Sequence, residues 1–271
     1  MMKPMRSVLA LLLVVACGAC CACCASSSDA GPAPAPAPTP SGSTTALPPP
    51  ADAGAKDSGP HGASEALLKC AKSKGDIGSI AEAVARLDAL GTNTDGPCFV
   101  ATLPRPLAVV ATNGKSSAQP AFGTSAPRLL LMLPKLVITV VPAGEGSKLL
   151  ELGEWIGTTR TIKGEVGLPV TAPLAADAAF LRVSRGTDRT TCGTCHRQEE
   201  PHPTIPNAFL SVAFKPEPGT FVTLTELEEL HRLCTSADDP GARCTMIHAL
   251  FDFGEITEGS FSPAVETFQG P

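Results

Sequence analysis

The chain has 271 residues, a formal charge of −5, eleven cysteines, one tryptophan and no tyrosine. Its acidic balance, with no run of Lys or Arg, argues against a nucleic-acid partner and against electrostatic adhesion to anionic lipid. Eleven cysteines make the redox compartment the first question to settle.

The N-terminus answers it. Lys3 and Arg6 precede an apolar run from Ser7 to Ala16, which is too short to span a bilayer and reads as an export signal over residues 1–16. The run ends in Val14-Val15-Ala16-Cys17, which resembles the lipobox of bacterial lipoproteins. That resemblance implies Cys17 as the lipid-bearing new N-terminus and a covalent membrane link. Gly18 in place of Asp after it implies the cell envelope, at the outer membrane or its periplasmic face. A plain signal peptide cut near Ala25 is the alternative. Loss of residues 1–16 removes Lys3 and Arg6 and moves the charge from −5 to −7. Cys20, Cys21, Cys23 and Cys24 crowd the anchor with no spacing that assigns them a role.

Residues 17–62 form the anchor and a tether dominated by Ala, Pro, Gly and Ser, including Pro-Ala-Pro-Ala-Pro-Ala-Pro over Pro32–Pro38. Such a composition cannot bury a core, and its prolines favour an extended, disordered linker. About 210 residues remain, enough for one large folded domain or two small ones.

Residues 63–98 read as a helical hairpin. Ser64 is placed to cap a helix carrying Leu67, Leu68 and Ala71, and Gly75 interrupts it. A second helix is predicted over 77–90 from Ile80, Val84, Leu87 and Leu90. Cys70 and Cys98 flank the hairpin and are disulfide candidates in an oxidising compartment.

Over residues 99–190 the period changes to that of strands. Short β-type runs occur at Leu107–Ala111, Arg128–Leu133, Leu136–Val141, Lys148–Leu152, Thr159–Val166 and Phe180–Val183, separated by Pro, Gly and Asn. A hairpin is predicted to turn at Pro134-Lys135, and Trp155 to pack on the resulting antiparallel sheet. Glu151, Glu154 and Glu165 read as solvent-facing strand residues.

Residues 191–271 begin with Cys192-Gly193-Thr194-Cys195-His196. Two thiols three positions apart can each add to a vinyl group on one porphyrin edge, and the adjacent imidazole can then ligate the iron. Three other readings stay open. A local disulfide needs only the compartment. A redox-active dithiol needs a thioredoxin-like βαβ alternation, which is not evident. A zinc site needs a second close Cys or His pair. Downstream, Thr225-x-x-Glu228 fits a capping box for a helix whose Leu224, Leu227, Leu230, His231 and Cys234 share one face. Asp239-Pro240-Gly241 turns the chain into a second helix over about 242–253, stopped by Gly254. Cys234 and Cys244 flank that turn and are the other disulfide candidates.

The Cys-x-x-Cys-His and the residues after it resemble c-type cytochromes. The resemblance implies one covalent haem c, with His196 as proximal iron ligand, and single-electron transfer with a redox partner protein of the envelope. It departs from small soluble cytochromes in placing a β-rich segment before the motif. For the distal ligand, Met246 stands 50 residues after His196. His248 and His231 are alternatives, and His202, between two prolines, ranks lower. No hydrolase, transferase or nucleotide-binding motif is present.

The fold class expected is α+β: a disordered N-terminal tether, a helical hairpin, an antiparallel β-rich body, and a C-terminal two-helix segment carrying the Cys-x-x-Cys-His. The functional expectation is an exported, lipid-anchored monohaem c-type electron carrier. The alternative is a non-catalytic envelope lipoprotein with structural disulfides and a partner-binding β domain.

Overall fold

The computed structural model describes residues 63–234 and 241–268. The export signal, Cys17, the tether and the Asp239-Pro240 pair lie outside them. Among the described residues no helix is long and apolar enough to cross a membrane.

The fold is α+β. Its first three helices are each started by a short polar side chain. α1 (Glu65–Cys70) has Ser64 as N-cap, its hydroxyl accepting from Leu67 N. α2 (Ile80–Leu90) begins three residues later than its periodicity predicts, because Ser79 takes the extended cap conformation and accepts from Glu82 N. Gly91, at φ 91°, ends it. α3 (Gly96–Ala101) is a third helix across the expected boundary at 98/99 between the helical hairpin and the β-rich body. Asp95 caps it by accepting from Cys98 N, and Pro97 sits in its first turn. The Cys70–Cys98 disulfide therefore joins two helices, α1 and α3.

Five strands then form a continuous antiparallel meander: β1 (Leu107–Thr112), β2 (Arg128–Met132), β3 (Leu136–Val140), β4 (Leu149–Trp155) and β5 (Arg160–Gly167). The β2–β3 hairpin turns at Pro134-Lys135, as predicted, with Leu133 and Leu136 exchanging backbone hydrogen bonds. Phe180–Val183 is not a strand. It is part of α4 (Ala178–Val183), whose buried Ala179, Phe180 and Val183 follow a helical spacing, and Ala179 packs against Gly164 of β5.

The segment after residue 190 is not a separate module. It supplies β6 (Glu200–Pro201) and β7 (Phe209–Val212), which extend the sheet beyond β5, and β8 (Phe214–Lys215). Short β9 (Phe221–Val222) and β10 (Ile256–Glu258) both pair with β1 at the opposite edge, β10 in parallel. β11 (Glu266–Thr267) pairs with β8 in a small second sheet. Between them lie α5 (Leu224–Leu233) and α6 (Ala242–Phe251). The capping box of α5 uses Thr223 and Glu226, two residues before the predicted pair, since Thr223 is the last extended residue after β9. The predicted Cys234–Cys244 disulfide ties α5 to α6.

Strand alternation gives the sheet two unlike faces. Leu129, Leu131, Ile138, Leu150, Leu152 and Ile162 face the helices in one large core with Ile80, Val84, Leu87, Phe99 and Phe180. The opposite face mixes apolar with charged residues, and there Trp155 packs near Val110, Leu130 and Val137 and meets Phe261 edge-on.

Candidate functional site

The Cys-x-x-Cys-His lies over this second face rather than on the C-terminal helices. After α4 the chain folds back through a bridge between Ser184 and Thr190, and Thr191 N donates to Val183 O. Residues Cys192–Thr194 then make a 3₁₀ turn closed by Cys195 N and His196 N, both donating to Cys192 O at 3.1 and 2.8 Å. Glu199 pins this turn. Its carboxylate accepts from Thr190 N at 2.8 Å and from the Thr190 hydroxyl, and it lies directly over Gly193. A Cβ on Gly193 would overlap Glu199 Oε2. Gly193→Ala should therefore break the Glu199–Thr190 clasp at a cost of roughly 1–3 kcal/mol, the range for disrupting charge-assisted hydrogen bonds. A thermal unfolding curve reads this directly. An unchanged midpoint would show that the clasp does not hold the turn.

Beyond the turn, Arg160 fixes the entry into β6. Its guanidinium donates to Glu200 Oε1 at 2.6 Å and to Gln198 O at 2.8 Å. The return strand β7 ends at Val212, whose carbonyl lies 2.8 Å from His196 Nδ1. A carbonyl can only accept, so Nδ1 carries the proton and Nε2 keeps the lone pair. Phe214 then covers the imidazole, ring to ring at 5.5 Å.

Cys192, Cys195 and His196 all line one pocket of about 330 Å³, at the small end of the range of ligand sites. Trp155, Phe214, Phe261 and Phe268 supply aromatic lining, and Arg128, Glu151, Lys163 and Glu165 supply charge. Both cysteines are free thiols. Burial pushes the Cys192 thiol up to about 11, with the Glu165 carboxylate adding to the effect. Burial, then the nearby Lys163 charge, drives His196 down to about 3, so its imidazole is neutral. Lys163 is itself lowered to about 8 by burial. Glu165 is raised, first by burial and then by Glu151, against the pull of Arg182 at 3.8 Å.

The expectation that Glu151, Glu154 and Glu165 merely face solvent is corrected. Glu151 pairs with Arg128 inside the pocket. Glu154 accepts from Ile80 N at 2.9 Å at the start of α2. Glu165 is largely buried beside the Cys192 turn. Because folding raises the carboxyl pKa of Glu165, the ionised form is a cost to the native state at neutral pH. The cost vanishes as pH falls through the carboxylate range, where both states hold the proton. Glu165→Gln should accordingly raise the unfolding free energy at pH 7, with the gain shrinking toward zero in acid. Denaturant midpoints at several pH values would check it, and a loss at pH 7 would show the Arg182 contact to dominate.

The distal-ligand expectations fare differently. Met246 is buried in the helix-side core against Gly96, where a Cβ would stand 3.0 Å from Met246 Cε, and it does not line the pocket. His231 and His248 sit together on α5 and α6, also away from it. His202 serves its own loop, Nδ1 accepting from Ile205 N at 3.0 Å and Thr204 N at 3.3 Å. His196 is thus the one histidine among the described residues lining the pocket, and no methionine lines it.

Two free thiols and a neutral imidazole border one aromatic-lined pocket, donor types that fit a covalently attached haem. The second nitrogen of His196 is held by a backbone carbonyl, a contact of the kind that orients an imidazole toward a metal. Sequence reasoning found these three residues but not Lys163, Arg128, Glu151, Glu165 or Phe214. The alternation Thr161-Ile162-Lys163-Gly164-Glu165 does place Lys163 and Glu165 on one face, yet nothing local says that a turn thirty residues later covers that face. No family model matches the chain, and no curated protein or solved structure matches it.

Proposed function

We propose that the chain is an exported, lipid-anchored protein of the c-type cytochrome class, with Cys192 and Cys195 attaching one haem and His196 ligating its iron. Bound there, the haem would supply single-electron transfer with a redox partner protein of the cell envelope. The reading rests chiefly on the His196 Nδ1 to Val212 O hydrogen bond, made in a pocket that both thiols also line. That bond presents Nε2 as the nitrogen able to ligate and fixes the plane of the ring, with Phe214 against it.

The burial of Cys192 supports the same reading by what it penalises. A thiol held near 11 is a poor thiolate, which disfavours disulfide exchange and zinc ligation. A thioether carries no charge, so addition to a vinyl group leaves nothing for the buried site to destabilise. Lys115, Lys163 and Lys215 line the pocket beside the Glu151-paired Arg128 and would offer cations to carboxylate substituents. Cys17 would carry the lipid, and the Pro/Ala tether would hold the folded body tens of ångströms from the bilayer.

The test is to express the full chain, with its export signal, beside a cytochrome c maturation system. The expected result is a Soret band, and haem-dependent peroxidase staining that survives denaturing electrophoresis. Absence of covalent haem, with a Cys192–Cys195 disulfide found by mass spectrometry, would overturn the proposal and favour a non-catalytic envelope lipoprotein.

A further inference from the structure

A second group of ligating side chains lies on the helical side of the molecule, independent of the haem reading. His231 of α5 and His248 of α6 converge on Asp252, the C-cap residue of α6. His231 Nε2 is 2.7 Å from Asp252 Oδ1, and His248 Nδ1 is 2.9 Å from Asp252 Oδ2. One ligand atom from each residue falls within 4.8 Å of the other two. The Asp252 side chain is only 2% exposed, and His248 is 5% exposed.

Three observations make this more than a packing contact. First, a carboxylate at a helix C-terminus opposes the helix dipole, which favours cations there. Neighbouring cations serve other atoms: Arg105 donates to the carbonyls of Ala249 and Leu250, and Lys74 to that of Phe253. The Asp252 carboxylate instead faces the two imidazoles, one on each oxygen. Second, His248 Nε2 is buried without a hydrogen-bond partner, so this histidine is retained at a desolvation cost. Third, the group is braced. The Cys234–Cys244 disulfide joins α5 to α6, and Phe251 stacks on His231 at 5.0 Å.

We infer that His231, His248 and Asp252 form a binding site for a divalent transition-metal ion of the zinc class. Two neutral imidazoles and a carboxylate are the donor set such ions prefer over magnesium or calcium. Bonds of about 2.1 Å at tetrahedral angles put ligand atoms roughly 3.4 Å apart. The contacts at 2.7 and 2.9 Å need to open by about 0.7 and about 0.5 Å, and the wider separation to close. Nε2 of His231 and Nδ1 of His248 then each present a lone pair to the metal, with the ring proton on the other nitrogen. Three protein ligands leave the fourth position to water, and His231, 22% exposed, opens the site to solvent. Its occupant is therefore exchangeable.

The experiment uses the full chain with serine in place of Cys17, Cys20, Cys21, Cys23, Cys24, Cys192 and Cys195, so that no thiol outside the two disulfides can take the probe. After treatment with a chelator, it is titrated with Zn2+ against a chromogenic competitor, and with Co2+ by absorption. One equivalent of zinc is expected, with cobalt d–d bands and no thiolate charge transfer. His231→Gln and Asp252→Asn should each weaken zinc binding at least tenfold, while His202→Gln leaves it unchanged. Zinc should also raise the melting temperature of the parent and not that of the variants. Absence of stoichiometric binding, or binding undiminished in His231→Gln, would overturn the site. Should Asp252→Asn fail to fold by circular dichroism, the partly exposed His231→Gln decides.

Discussion

Changing both Cys70 and Cys98 to serine is expected to lower the unfolding free energy by about 3.6 kcal/mol, through the loop entropy returned to the unfolded chain. The two cysteines are 28 residues apart, against 10 for Cys234 and Cys244, whose removal by the same relation costs about 2.7 kcal/mol. Structure adds to the difference. The 70–98 bridge holds α1 on α3, and α3 carries Phe99, fully buried in the main core beside Val100 and Ala101. Loosening α3 also loosens α6, whose Met246 packs on Gly96. Guanidinium denaturation of the serine pair against the parent measures the effect. A loss under about 1 kcal/mol would mean that the helices hold their places without the bridge.

On the proposed haem attachment, changing both Cys192 and Cys195 to serine is expected to do the reverse: abolish haem staining while altering stability by no more than about 1 kcal/mol. The turn that carries them does not depend on sulfur. It is closed by backbone donors to Cys192 O and clasped by the Glu199 carboxylate on Thr190. Both thiols are free, so no loop constraint is lost. Staining after denaturing electrophoresis and a denaturant midpoint on the same preparation give the two readings together. Persistent stain would place attachment elsewhere. A stability loss matching that of the 70–98 pair would make Cys192 and Cys195 structural. Together the two experiments assign roles to four of the six described cysteines.

Much of the architecture is readable from local pattern. Ser64 before Leu67 and Leu68, the three-to-four spacing of Ile80, Val84 and Leu87, and the Pro134-Lys135 hairpin all act over a few residues, and each appears where expected. The failures are also local in form but tertiary in cause. Phe180–Val183 is apolar enough for a strand, yet β5 offers Gly164 at the contact, which admits the close approach of Ala179 on a helix. Gly96–Ala101 is too short for a period to show, and only its Asp95 cap and Pro97 mark it. At the site, Cys192, Cys195 and His196 are legible because the chemistry proposed for them needs adjacency in sequence. Val212 and Phe214, which orient His196, are 16 and 18 residues further on and belong to strands whose partners decide their position.

By itself the sequence determined the disulfide pairs 70–98 and 234–244 and the α+β class, and it set Cys192, Cys195 and His196 side by side. Each follows from spacing, composition or alternation, which are properties of neighbours along the chain. Only the tertiary structure decided what surrounds that motif. It set the motif on the charged face of the central sheet, and it kept Met246 in the helix-side core. It also drew His231 and His248, seventeen positions apart, onto the single carboxylate of Asp252. The physical reason is that a strand has two faces and a helix several. Which face meets solvent, pocket or core is fixed by elements distant in sequence that compete to bury apolar surface, and no local window records the outcome.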